Sequence, residues 1–213
     1  MQKISFFIIL ALLCCSCKQS RPPALEPDTI TKLPYFNCSD FTPEWGKGTH
    51  KIPPFSFTNQ LGETVTNETY KGKIYIADFF FTICPGICPK LTENMASLQK
   101  KYAKEKNIKL LSHSVMPWHD SVAVLAAYAK KNKVKAKMWN LVTGDKDAIY
   151  NIARNGYFAD EDFGKTQAEN DFIHTENFIL VDKEGYIRGV YNGTIAIDMQ
   201  RLDRHINVLK NEK

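Results

Sequence analysis

The chain of 213 residues contains no internal repeat, and its N-terminal apolar run is too short to cross a bilayer stably as a mature helix. It also lacks a concentrated basic stripe. The formal net charge is +5, and the excess is diffuse. The densest run, Lys130 to Lys137, holds five lysines and no aromatic before Trp139. Such a run reads as a solvated helix end and loop, without the base-stacking groups that a nucleic-acid surface needs. Cysteine is scarce: there are six, and three of them crowd into residues 14–17. Apolar periodicity is weak from residue 18 to about 48, where four of the ten prolines fall between Pro22 and Pro34. That stretch reads as a tether.

The first residues read as a targeting segment. Lys3 supplies a positive start, and Ile4 to Leu13 form an apolar run broken only by Ser5. Cys14-Cys15-Ser16-Cys17 close it. A cysteine after a small residue at the end of such a run resembles a bacterial lipoprotein cleavage site. The expected division is a lipoprotein signal over 1–16, lipidated Cys17 and a flexible tether over 17–48, and one folded domain over 49–213. A plain secretory signal without lipid is the alternative. Both put the domain outside the cytoplasm. The lipoprotein reading puts it in a bacterial cell envelope, lipid-anchored to a membrane and facing the periplasm. Only Cys38, Cys84 and Cys88 then remain as thiols, in a compartment that favours oxidation.

With 44% hydrophobic residues, the chain has enough apolar surface for a core. PFSFTN and ETVTNETY read as a short hairpin with Leu61-Gly62 in its turn. KIYIADFFF is a near-continuous apolar run of strand length, so it reads as a central strand buried on both faces. From Pro89 to Lys106, Leu91, Met95, Leu98 and Tyr102 form one face of a helix. IKLLSHSV and MWNLVT are further strands. Asp120 or Ser121 caps a helix through Val122, Leu125, Ala126 and Ala129, and DKDAIYNIARNGY is another helix. Residues 159–170 read as a polar loop. NFILVD and YIRGVYNG form a hairpin around Lys183-Glu184-Gly185. A last helix, Asp198 to Lys210, presents Met199, Leu202, Ile206 and Leu209. The order implies an α/β fold: a mixed sheet with helices on both faces and an N-terminal β-hairpin extension. Cysteines at the end of the first central strand make it resemble the thioredoxin fold.

Those cysteines lie in FFFTICPGICPKL, where Cys84 and Cys88 are each followed by proline. A Cys-x-x-x-Cys pair can close a structural disulfide, exchange electrons, or hold a soft metal ion. A helix N-terminus favours thiolate. On helical backbone, positions i and i+4 would face the same way. Two sulfurs alone do not select a metal, and His174, just before NFILVD, is the candidate third donor; Cys2His suits copper. Asp78, six residues before Cys84, is a candidate proton relay, at the offset where thioredoxins carry an aspartate. His113 and His119 are weaker ligand candidates, and His50 and His205 read as surface residues. Cys38 reads as a free thiol. Nothing in the motif supplies a recognisable peroxide-binding arrangement.

CPGICP followed by a helix, then SVMPWHDSVAVLAAYAKK, WNLVTG and IHTENFILVDKEG, resembles the Sco/SenC family in order and spacing over about residues 49–210. The resemblance implies a membrane-attached, thioredoxin-like copper protein that assists assembly of cytochrome c oxidase, chiefly its CuA centre. The family's CPxxCP cysteines match Cys84 and Cys88, and its histidine matches His174. It implies copper, as Cu(I) or Cu(II), as the bound metal and the oxidase subunit carrying CuA as partner. Another copper chaperone or a thioredoxin-like reductant is a further candidate partner. Where the family usually has aspartate, this chain has Met116. Two functions follow as expectations. One is a non-enzymatic copper metallochaperone. The other is a thiol–disulfide oxidoreductase that keeps oxidase cysteines reduced, with Cys84 attacking, Cys88 resolving and Asp78 moving protons. A purely structural disulfide is a third reading.

Overall fold

A computed structural model describes residues 30–159 and 175–212. Two short strands, β1 (Tyr35–Phe36) and β2 (Pro43–Glu44), form a small antiparallel ribbon. Seven more make one mixed sheet: β3 (Ser56–Asn59), β4 (Thr64–Thr66), β5 (Ile74–Phe80), β6 (Ile108–Ser114), β7 (Trp139–Thr143), β8 (Asn177–Val181) and β9 (Ile187–Asn192). Their spatial order is β4-β3-β7-β6-β5-β8-β9. β5, β6 and β7 are parallel, and β3, β4, β8 and β9 are added antiparallel. This is the expected mixed sheet, with the apolar run of β5 in its interior, next to the central β6, and every residue of that strand buried.

The period of two along β5 divides the core. Ile74, Ile76 and Phe80 face one layer, packed by Leu91, Met95 and Leu98 of α2 (Cys88–Lys101). Leu125 and Ala129 of α3 (Val122–Lys131) join that layer, as do Leu202, Ile206 and Leu209 of α5 (Ala196–Asn211). Tyr75, Ala77 and Phe79 face the other layer, closed by Ile149 of α4 (Lys146–Asn151) and Ile152 in the π-helical turn Ile152–Gly156 that continues it. No helix among the described residues is long and apolar enough to cross a membrane.

Three local expectations differ. ETVTNETY is strand only to Thr66. A reciprocal hydrogen-bonded cap between Thr66 and Thr69 then starts α1 (Asn67–Tyr70). The helix after the cysteines ends at Lys101, where Tyr102 caps it and donates its hydroxyl to Asp203. The expected tether through residue 48 ends earlier, because Leu33 is buried and residues 33–35 are clasped by Arg188 of β9. The Arg188 guanidinium donates to the Leu33 carbonyl at 2.6 Å and the Pro34 carbonyl at 3.0 Å, and lies over the Tyr35 ring. It also pairs with Asp182 at 3.0 Å and Glu212 at 2.7 Å. Gly48 lies so close that a Cβ there would fall 2.5 Å from the Tyr186 ring. Trp45, in the same segment, is exposed.

Candidate functional site

At the C-terminal end of β5 the chain turns through Phe81–Ile87 into α2. Cys88 is the first helical residue, and Pro89 follows in the first turn, where its missing N–H costs no helical bond. Cys84 is not helical. It sits in the turn, its N–H donating to the Phe81 carbonyl at 3.3 Å. The two sulfurs therefore do not meet through helical i, i+4 geometry. The loop folds back so that the two thiols lie beside each other and influence each other's ionisation. Both are free, Cys84 half-buried and Cys88 buried.

Position sets different acidities. Partial burial works against ionisation of Cys84. It is outweighed by hydrogen bonds from the Cys88 thiol and from the N–H groups of Cys88, Gly86 and Ile87, so its pKa lies below the ordinary value. Burial pushes the Cys88 thiol up, and its hydrogen bond to Cys84 adds to this. Only the outer sulfur gains from the helix N-terminus. The pair thus has one accessible sulfur that ionises readily and one protected sulfur that does so only with help.

Asp78 lies on the same sheet face as Ile76 and Phe80, behind this pair. It is buried, and the Ser112 hydroxyl donates to its carboxylate. The Trp139 indole N–H donates to that same hydroxyl at 2.8 Å. Burial raises the Asp78 pKa to about 7, and the Ser112 bond pulls the other way. Its charge in turn disfavours a thiolate at Cys88.

The histidines separate. His113 is opposite Phe79 in the β5–β6 register, and so faces the other layer. It stacks on Phe79 at 5.0 Å, among Phe57 and Tyr157, and neither ring nitrogen reaches hydrogen-bond geometry with a partner. Burial lowers its pKa to about 3, and the nearby Asp78 backbone pulls the other way. The sheet stands between it and the thiols, so it is no ligand for them. His119 binds the Asp120 carboxylate at 2.8 Å. His50 and His205 are half-buried and bonded, to the Gly156 carbonyl at 2.8 Å and to the Tyr191 hydroxyl at 2.7 Å; neither is a bare surface residue. Exposed Cys38 donates to Asp40 at 3.0 Å, and that bond raises its pKa. Cys17 and His174 lie outside the described residues.

Asp120 departs most from expectation. Ser121 is the helix cap, accepting from the Val124 N–H. Asp120 turns inward and is fully buried. Its neighbours Thr82 and Ser114 were not singled out in the sequence. The signal there was only the polar pair Asp120-Ser121, either of which can cap.

The sequence profile of SCO1/SenC matches residues 44–207, which span the seven-stranded sheet, the cysteine turn and most of α5. The chain belongs to the SCO1/SenC family. It is 34% identical over 149 residues to the SCO1 protein homolog of Bacillus subtilis, covering 68% of this chain and 75% of that protein. Among solved structures it is similar to BsSco, described as a member of the Sco family of cytochrome c oxidase assembly proteins with a disulfide switch. That match has 31% identity and a TM-score of 0.65 over 77% of this chain and 95% of that one. It is also similar to Arabidopsis thaliana ScoI with copper bound, at 25% identity and a TM-score of 0.57, over 75% of this chain and 98% of that one. The thioredoxin-like fold of the family is the fold of this chain.

The donor set fits a soft ion. Two thiols converge, one at the surface, in a turn stiffened by Pro85 and Pro89. Among the described residues no three His, Cys, Asp or Glu side chains cluster closely enough to hold a metal.

Proposed function

We propose that this chain carries copper as cargo during assembly of cytochrome c oxidase, holding it through Cys84, Cys88 and His174. The observation that carries the reading is the convergence of two free thiols at an accessible turn. Membership of the SCO1/SenC family, a relative described as an oxidase assembly protein and a relative with copper bound support it. Thiolate ligands select Cu(I), and an imidazole is compatible with either oxidation state. In the chain's own terms, the N–H groups around Cys84 favour its thiolate over its thiol. Cys88 must lose its proton when the ion arrives. A half-buried outer ligand can be displaced by a competing thiolate, so the ion passes on by stepwise ligand exchange. The oxidase subunit carrying CuA is the proposed acceptor. Anchoring through lipidated Cys17, on the periplasmic side of a bacterial membrane, belongs to the same proposal.

A second reading is a thiol–disulfide oxidoreductase serving the oxidase cysteines. Asp78, buried behind Cys88 with a pKa near neutrality, favours it. Copper titration of the reduced chain lacking residues 1–17 separates the two; the cut must spare Leu33, which is part of the core. One tightly bound copper per chain, lost in His174→Ala, is the expected result. No copper binding together with fast exchange against a partner disulfide establishes the second reading instead.

A further inference from the structure

The turn that carries Cys84 is anchored at its start by a side chain from a different loop. Asp120 has no exposed surface, and its two carboxylate oxygens accept four hydrogen bonds. Oδ1 accepts from the Thr82 hydroxyl at 2.5 Å and from His119 Nδ1 at 2.8 Å. Oδ2 accepts from the Thr82 N–H at 3.1 Å and from the Ser114 hydroxyl at 2.6 Å. The Asp120 N–H donates to the Met116 carbonyl at 2.8 Å, closing the loop on itself. Thr82 thus receives both its backbone and its side-chain restraint from one carboxylate 38 residues away, and it lies two residues before Cys84. Ser114 ends β6, the strand paired with β5. The carboxylate therefore pins the start of the cysteine turn to the end of the neighbouring strand.

We propose that Asp120 is a positioning residue that sets the reduction potential of the Cys84–Cys88 pair by fixing Thr82, a role that rests on the pair being reactive and not on copper. Four charge-assisted or short bonds to a buried carboxylate are stronger than neutral ones. Leaving a buried donor without its acceptor carries a desolvation penalty, which holds the turn in one conformation. That conformation places Cys84 in the turn, its N–H on the Phe81 carbonyl, and Cys88 at the start of α2. A turn freed at Thr82 loses part of this reduced-state geometry. The reduced form is then less stabilised relative to the disulfide, and the couple becomes more reducing. A carboxylate that only held the fold together would lower the melting temperature and leave the couple where it was.

The test equilibrates metal-free protein with dithiothreitol buffers. The Cys84–Cys88 S–S bond breaks, two electrons and two protons pass to the cysteines, and dithiothreitol closes its own ring disulfide. Thr82→Val removes the hydroxyl bond and keeps the backbone one. It is expected to shift the equilibrium about tenfold toward the protein disulfide, about 30 mV more negative. Thr82→Ser keeps the hydroxyl and is expected to stay within about twofold of the parent. Asp120→Asn, which turns an amide donor toward donors, is expected to shift at least as far as Thr82→Val. Parental equilibria in Thr82→Val and in folded Asp120→Asn, whatever their melting temperatures, overturn the proposal. If Asp120→Asn does not fold, the contrast between Thr82→Val and Thr82→Ser decides it alone. No metal enters the measurement, so failure of the copper reading leaves this result standing.

Discussion

Asp78 and Ser112 face each other across the parallel pairing of β5 and β6, and the serine hydroxyl donates to the carboxylate inside the apolar layer beneath the cysteine turn. Burial lifts this carboxyl from an ordinary value of 3.8 to about 7. Between those two values the folded chain binds a proton that the unfolded chain has released. Stability attributable to Asp78 is therefore full below about pH 4 and is lost as pH rises through 7. Asp78→Asn, which cannot ionise, should gain on the parent by a few kcal/mol between pH 5 and pH 8. Urea melts at both pH values measure it; a constant difference would place the titration elsewhere. The same variant should slow disulfide exchange while leaving copper binding intact.

The unequal thiols give a chemical ordering. In the reduced protein at pH 7–8, iodoacetamide should modify Cys84 at least about tenfold faster than Cys88, because only the thiolate reacts and only Cys84 is accessible as one. Peptide mass spectrometry over a time course reads the order. Equal rates would mean that the turn opens faster than it is alkylated.

Arg188 offers a test of stability remote from the cysteines. Removing its charge leaves Asp182 and Glu212 facing each other at low exposure and frees the Leu33 and Pro34 carbonyls. Arg188→Met should cost about 3–5 kcal/mol and lower Tm by roughly 10 °C. Residues 30–48 should become the first site of proteolysis. Arg188→Lys should not rescue, since one ammonium cannot reproduce a fork that reaches two carbonyls and two carboxylates. Calorimetry and limited proteolysis check both.

Met116 stands where the family usually has aspartate. Its carbonyl accepts from His119 and Asp120, in the loop pinned to the cysteine turn. A thioether is a soft neutral donor, whereas a carboxylate favours a harder, more charged ion. Met116→Asp should move the ratio of Cu(I) to Cu(II) affinity toward Cu(II). An unchanged ratio in titrations of both oxidation states would reduce Met116 to packing.

The elements that carry the site were legible because their signals are local. The apolar run of β5 exceeds what an amphipathic strand needs, and Leu91, Met95 and Leu98 repeat at helical spacing. Gly185 takes a positive φ of 90° in the turn where Lys183-Glu184-Gly185 was read as a hairpin connection. What was illegible depends on distant partners. Leu33 is one apolar residue in a proline-rich stretch, and its burial is set by an arginine 155 residues away. Asp120 and Ser121 look alike as caps until Thr82 is known to lie beside one of them. Thr64-Val65-Thr66 has the composition of a longer strand, and the Thr66–Thr69 cap that ends it is a matter of geometry. The convergence of the two cysteines was legible, but its cause was not: helical periodicity suggested it, and a folded-back turn produces it.

The Arg188 clasp has a consequence for reach. β9 runs parallel to β5, so Arg188, near its start, lies at the sheet edge opposite the one where β5 delivers Cys84. Seven residues of strand separate those edges by roughly 23 Å. The chain therefore enters the domain at one pole and presents its thiols at the other. A contact made at residues 30–33 therefore lies about one strand length from the thiols.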